Sequence, residues 1–288
     1  MSTLVLFDLD ENGVATLTLN RPERNNAWTP DLEREYFGCL ADADADPAVR
    51  VIVVTGAGKS FCPGVDSGRL ESLVGNEFDI DGRISPTSPL GIRKPLIAAI
   101  NGACAGMGLV QALMCDIRFM SRSARIATSF ARRGLAAEYG IAYLLPRLIG
   151  QERALDLLLS GRTVGADEAR DLGVVSRVTE PEDLLPAALA YATELATKSS
   201  PLAMAFAKHQ VWTALDQDLT EAMRSAFRSM RAAVEGADFR EGLESFMEKR
   251  DPAFSGLAAE VTPSDVTGVT IDTAFLTLGP IGFPDETR

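Results

Sequence analysis

KPLIAAINGACAGMGLVQALMCDIRF, residues 94–119, decides the fold. Leu96 to Ile100 is an apolar run of strand length, and Asn101 to Gly108 is a glycine-rich turn. A short helix beginning near Leu109 then leads to a second strand over Asp116 to Met120. Strand, turn, helix and strand in that order belong to an α/β protein whose strands are buried on both faces. The charge-free stretch from Pro95 to Cys115 contains Gly102-x-x-x-Gly106 and so imitates a membrane helix. Asn101, Gln111 and the glycines divide it instead, and no membrane partner is expected.

The neighbouring segments extend the same pattern. Arg50 to Thr55 is a third strand with an unbroken apolar run. Residues 4–20 alternate on both sides of Asn12-Gly13 and read as a β-hairpin. Thr29-Pro30-Asp31 supplies a cap, a first-turn proline and an acid for a helix running to Ala45. Beyond Gln151 come QERALDLLLSG and ADEARDLG, two helices, then the short strand VVSRV and three or four amphipathic helices from Asp183 to about Lys249. Asp251 to Arg288 has little periodicity and reads as an arm lying on a surface or on a neighbouring subunit.

Composition narrows the function. With 40 acidic against 28 basic residues the 288-residue chain carries a formal charge of −12, the wrong sign for a nucleic-acid partner. Cys39, Cys62, Cys104 and Cys115 are scattered without a Cys-x-x-Cys pair, and His209 is the only histidine. Zinc sites and disulfide frameworks therefore lack their parts, no metal is expected, and the thiols read as reduced ones in a cytoplasmic protein. His209 lies in a helical context without a nucleophile motif and is expected to pack rather than to catalyse. Neither a signal peptide at the start nor a retention tag at the end is visible.

Two glycine-rich turns, each after a buried strand, are where chemistry fits. The first, Thr55 to Asp66, contains Gly58-Lys59-Ser60 but has Val53 where a phosphate-binding P-loop needs glycine. The second, Asn101 to Gly108, has Gln111 where the dinucleotide fingerprint needs its last glycine. Tight strand-to-helix packing accounts for both turns, and so does an anion or oxyanion site facing a helix N-terminus. The residues alone leave that choice open.

The pairing of the turns carries a resemblance. GAGKSFCPGVD at 56–66, followed by the stretch quoted first, resembles the crotonase superfamily, the enoyl-CoA hydratases and isomerases. LNRPERNNAW at 19–28, LPRLIG at 145–150, LSGRTVGADEARDLGVVSRV at 159–178 and EGLESFMEKR at 241–250 match in the same order, so the likeness spans residues about 5 to 253. It implies an α/β crotonase-like spiral of ββα turns over residues 1–198. A C-terminal helical region at 199–250 would help build a homotrimer or a dimer of trimers, with 251–288 as the arm. A coenzyme A thioester is the implied substrate, and no cofactor is needed beside it.

The resemblance also assigns roles. The backbone N–H groups of Val65, after Gly64, and Met107, after Gly106, match the oxyanion hole that holds the thioester oxygen as it becomes an enolate; such a donor is typically worth roughly 10² to 10³ in rate. Met107 stands where glycine is commonest. Hydratases of the family carry glutamates at the positions of Val110 and Phe130, and neither residue here can activate water. Glu138, between Gly134 and Gly140, matches the acidic slot of certain isomerases and dehalogenases. A lone carboxylate beside Val110, Phe130 and Leu135 suits a proton shuttle, with its pKa raised by desolvation; the alternative is an ion pair with Arg132 or Arg133 on a surface turn. Tyr139 and Tyr143 read as lining or packing. Arg24, Ala27 and Asp66 lie where the family holds the ligand, and Phe246 and Lys249 where a C-terminal helix reaches the nucleotide from a neighbouring subunit. Isomerisation is favoured over hydration; a hydratase with another way of placing water, and a silent CoA-thioester binder, are the alternatives. The loop 67–92 is expected to shape the acyl pocket.

Overall fold

The computed structural model describes residues 3–74 and 85–271. The chain opens with the expected antiparallel hairpin, β1 (Val5–Leu9) and β2 (Val14–Leu19), whose turn is closed by Asp10 and by Gly13. Thr29 caps α1 (Pro30–Ala45), its hydroxyl accepting from the Leu32 N–H. A repeating unit follows, in which a long strand is succeeded by a short one and then by a helix or turn. The units are β3 (Val51–Gly56), β4 (Ser60–Cys62) and α2 (Ser67–Leu73); then β5 (Leu96–Ile100), β6 (Ala103–Ala105) and α3 (Met107–Met114); then β7 (Ile117–Ser121) and β8 (Arg125–Ala127). Next come α4 (Ile141–Ile149), α5 (Gln151–Ser160), β9 (Thr163–Gly165), α6 (Ala166–Leu172) and β10 (Arg177–Thr179). Helices α7 (Leu184–Lys198), α8 (Pro201–Thr213), α9 (Leu219–Glu235), α10 (Ala237–Glu248) and α11 (Pro263–Thr267) complete the described chain.

Long and short strands enter different sheets. The six-stranded sheet runs β1-β2-β3-β5-β7-β10 and is parallel after the hairpin; the four-stranded sheet runs β4-β6-β8-β9. Each unit thus contributes one strand to each sheet, which is the spiral of ββα turns. The unbroken apolar run of β3 follows from burial on both faces. Val51 and Val53 pack with Ile97 and Phe119 under Ala188, Ala192 and Ala196 of α7, while Ile52 and Val54 join the larger core.

Several boundaries differ from the sequence reading. The glycine turns conceal β4 and β6, since three residues are too few for a period to show. Helix α3 starts two residues before Leu109, and VVSRV is a strand only from Arg177, with Val174 and Val175 buried as packing. The arm contains α11 and returns to its own chain: Arg50 donates to Phe254 O at 2.6 Å and Arg93 to Val261 O at 2.7 Å. Residues 272–288 of that arm, and 75–84 of the loop expected to shape the acyl pocket, lie outside the described residues. His209 packs, 6% exposed, with Nε2 2.9 Å from Thr267 Oγ1. Among the described residues no helix is long and apolar enough to cross a membrane.

Candidate active site

The first glycine turn is held from below by two asparagines. Asn26, fully buried, donates to Ala57 O and Ser60 O at 2.9 and 2.7 Å, and Asn101 donates to Gly56 O and Gly58 O at 2.8 and 3.0 Å. Asn101 thereby ties the second turn to the first. At the far end Trp28 N–H donates to Gly64 O (2.8 Å) and Asp66 N–H donates to Trp28 O (2.9 Å). A parallel bridge of this pattern uses the peptide groups on either side of Val65, so the Val65 N–H points away from Trp28. Gly64 has φ +108°, a backbone that side chains rarely adopt, and this bend turns the Val65 peptide over. Asp66 caps α2 at the Gly68 N–H and receives Arg24 Nη2 (3.2 Å) and Arg21 Nη2 (3.5 Å). The Arg24 hydrogen bond leads the interactions that hold its carboxyl below the usual range.

In the second turn, Gly106 N–H donates to Ala127 O in the short sheet and Gly106 O accepts from Val110 N–H as α3 begins. Met107 is the first helical residue, one whose N–H has no intrahelical acceptor. Gly108 lets α3 sit directly on the first turn: a Cβ there would stand 2.1 Å from Cys62 O. Among the described residues neither the Val65 nor the Met107 N–H is hydrogen-bonded, and both residues line one cavity of about 330 Å³. The Met107 side chain, 1% exposed, is fixed by Gln111 Nε2, 3.6 Å from its sulfur.

A further part of the lining comes from residues 128–139. Phe130, Leu135, Glu138 and Tyr139 all line the cavity, and Glu138 and Tyr139 are half-buried. Among the described lining residues Glu138 is the only carboxylate. Arg132, offered as its alternative partner, turns away to donate to Ser160 O; Arg133 lines the same cavity. Val110 is not brought in. It is completely buried in the hydrophobic core, three residues on from Met107, the nearest lining residue in sequence. Tyr143 also lies outside, its hydroxyl 2.9 Å from Asp216 Oδ1.

Of the residues expected at the CoA moiety, Arg24, Ala27 and Asp66 stand together, the Ala27 N–H donating to Arg24 O at 3.0 Å, while Phe246 and Lys249 belong to the end of α10. Arg24 keeps half its side chain exposed while bonded to Asp66, and Ala27 is buried with its carbonyl accepting from Arg21 Nη1 at 2.5 Å. Phe246 is 81% exposed on α10 and Lys249 ends that helix, both apart from the cavity lining. Sequence reasoning passed over Trp28, whose ring forms part of the cavity and whose Nε1 donates to Glu33 Oε2, and also Ser129 and Arg21. The signal for Trp28 was present: a large aromatic directly follows the Asn-Asn-Ala loop. A second cavity of about 690 Å³ lies between α1, α8 and residues 259–271, and neither glycine turn reaches it.

Comparison with known proteins gives a consistent result. The model of the enoyl-CoA hydratase/isomerase family matches residues 10–257. The chain is 35% identical over 253 residues to the 1,2-epoxyphenylacetyl-CoA isomerase of Escherichia coli, covering 85% of this chain and 96% of that one. It is 36% identical over 270 residues to a probable enoyl-CoA hydratase of Mycobacterium tuberculosis, covering 88% and 93%. Among solved structures, a probable enoyl-CoA hydratase/isomerase from Mycobacterium abscessus superposes with a TM-score of 0.82 at 31% identity, over 89% of this chain and all of the other.

Proposed function

Because the chain belongs to the enoyl-CoA hydratase/isomerase family, we propose that it shifts a double bond in an acyl-CoA thioester, with Glu138 carrying the proton. The observation that supports this reading is that Glu138, the one carboxylate among the described lining residues, shares its cavity with Val65 and Met107, whose peptide N–H groups have no hydrogen-bond acceptor among the described residues. In the proposed reaction the thioester oxygen accepts from Val65 and Met107. Glu138 removes a proton from C2, negative charge passes to the held oxygen, and the same carboxyl returns the proton to C4. Donors fixed before the reaction stabilise the dienolate without reorganising. Phe130 and Val110 stand where the hydratases' two acids are expected, and neither can orient or deprotonate water. The thioester is substrate, and the scheme calls on no further cofactor.

Arg24 and the Ala27 backbone are proposed contacts of the nucleotide. Phe246 and Lys249 are proposed to reach it from a neighbouring subunit, in a trimer or dimer of trimers. A panel of 2-enoyl- and 3-enoyl-CoA thioesters, assayed for isomerisation, hydration and thioester hydrolysis, tests the reading. Glu138→Gln keeps the shape but cannot take the proton; turnover is expected to fall by roughly 10² or more with affinity for the thioester little changed. Full activity in that variant, or brisk hydration of crotonyl-CoA by the unaltered protein, would overturn it.

A further inference from the structure

Ser129 lines the cavity with φ +63°, a left-handed backbone that costs a serine more than it would cost a glycine. Strain of this kind tends to persist where a side chain is useful. Among the described residues its hydroxyl has no hydrogen-bond partner. A few residues on, two arginines stand side by side and behave differently. Arg132 is fixed on the scaffold through Ser160 O at 2.7 Å, whereas Arg133 lines the cavity and has no ion pair or side-chain hydrogen bond among the described residues. Arg69 of α2 also lines it, equally without such a partner. Among the described residues the charged lining is two arginines, Arg133 exposed and Arg69 half-buried, against one glutamate, a local positive excess on a chain of net charge −12.

We propose that this cavity takes an acyl chain ending in a carboxylate, received by Arg133 and Ser129 with Arg69 as a second cation of the same lining; the proposal rests on the acyl-CoA reading above. A guanidinium and a hydroxyl are donors matched to carboxylate oxygens, and the bond is charge-assisted. An alkyl terminus would strip the same donors of water and give them nothing in return. The phosphates of the CoA moiety are the other anions that could meet these cations, so the test must separate the two.

Glutaryl-CoA and valeryl-CoA differ at the chain end only, as carboxylate and methyl, and both are saturated and inert to isomerisation or hydration. Calorimetry with these two and with free CoA is expected to show glutaryl-CoA binding about tenfold or more tighter than valeryl-CoA. Ser129→Gly and Arg133→Met should each pull that ratio toward one and leave free CoA within about twofold. Ser129→Gly should also melt at a higher temperature than the parent, because glycine relieves the left-handed backbone, so its lost selectivity cannot be lost folding. A parent ratio of one or less overturns the proposal. So does an Arg133→Met variant that weakens free CoA and both thioesters alike, which would assign the arginine to phosphate. If none of the three ligands binds the parent, the acyl-CoA reading itself has failed and takes this one with it.

Discussion

Asp66 is charged so that a backbone turn can stay where it is. Its carboxylate accepts from the Gly68 N–H and from Arg21 and Arg24, and its own N–H closes the bridge to Trp28 that turns the Val65 peptide. These partners, led by Arg24, favour the ionised form in the folded protein and lower its pKa. A carboxyl depressed in this way stabilises the fold fully above its unfolded pKa of about 4, and that contribution disappears as pH falls through the lower folded value. Asp66→Asn keeps the shape and lacks the titration. The melting temperature of the parent is expected to exceed that of the variant most at pH 7, with the gap closing toward pH 3; a gap constant over that range would show that the charge is immaterial. At this scale the sequence was legible where a residue type has one use. Gly64 and Asp66 could be placed from the motif, whereas Val110 could not, because every residue of α3 is buried and no polar face reveals which side meets the ligand.

Between elements, the decisive contact is that of α3 with the turn after β3. The side of α3 at Gly108 lies against Cys62, and a methyl group there has no room, since the obstructing atom is a backbone oxygen. Gly108→Ala must push the helix back or distort β4, at a cost of typically 1–3 kcal/mol or more. The N–H of Met107 moves with the helix. The expected result is a lower melting temperature together with a turnover loss larger than the affinity loss; an alanine variant of parental stability would mean that the two turns are less tightly joined than they stand. Long elements were readable because they carry a full period. The hairpin, α1, β3, β5 and α5 each repeat their pattern several times. β4 and β6 have three residues each, and tertiary pairing rather than local preference makes them strands. The wall at 128–139 is mostly irregular, so the entry of Glu138 and Ser129 into one cavity was visible only through the resemblance for the first and not at all for the second.

At the scale of the molecule, α9 and α10 carry an exposed apolar face among the described residues. Leu219, Met223, Phe227, Met230 and Val234 of α9 fall three or four residues apart and are 47–79% exposed, and Phe239, Leu243, Phe246 and Met247 continue the surface onto α10. A stripe at that spacing is one helix face, and a contiguous face of this kind marks an interface. The proposed trimer or dimer of trimers covers it with other copies of the chain. Light scattering at micromolar concentration is expected to give a mass three or six times that of the chain, and Phe227→Glu combined with Met230→Glu should reduce it to a monomer, because carboxylates cannot be buried there unpaired. The same variant examines the nucleotide site. Phe246 and Lys249 lie away from the cavity of their own chain, so if they touch CoA it is across the interface, and the monomeric variant should bind acyl-CoA several-fold more weakly although its own glycine turns are intact. A monomer that keeps the parental affinity would remove both residues from the CoA site while leaving the assembly argument in place. A parent chain that is already monomeric would remove the assembly argument first.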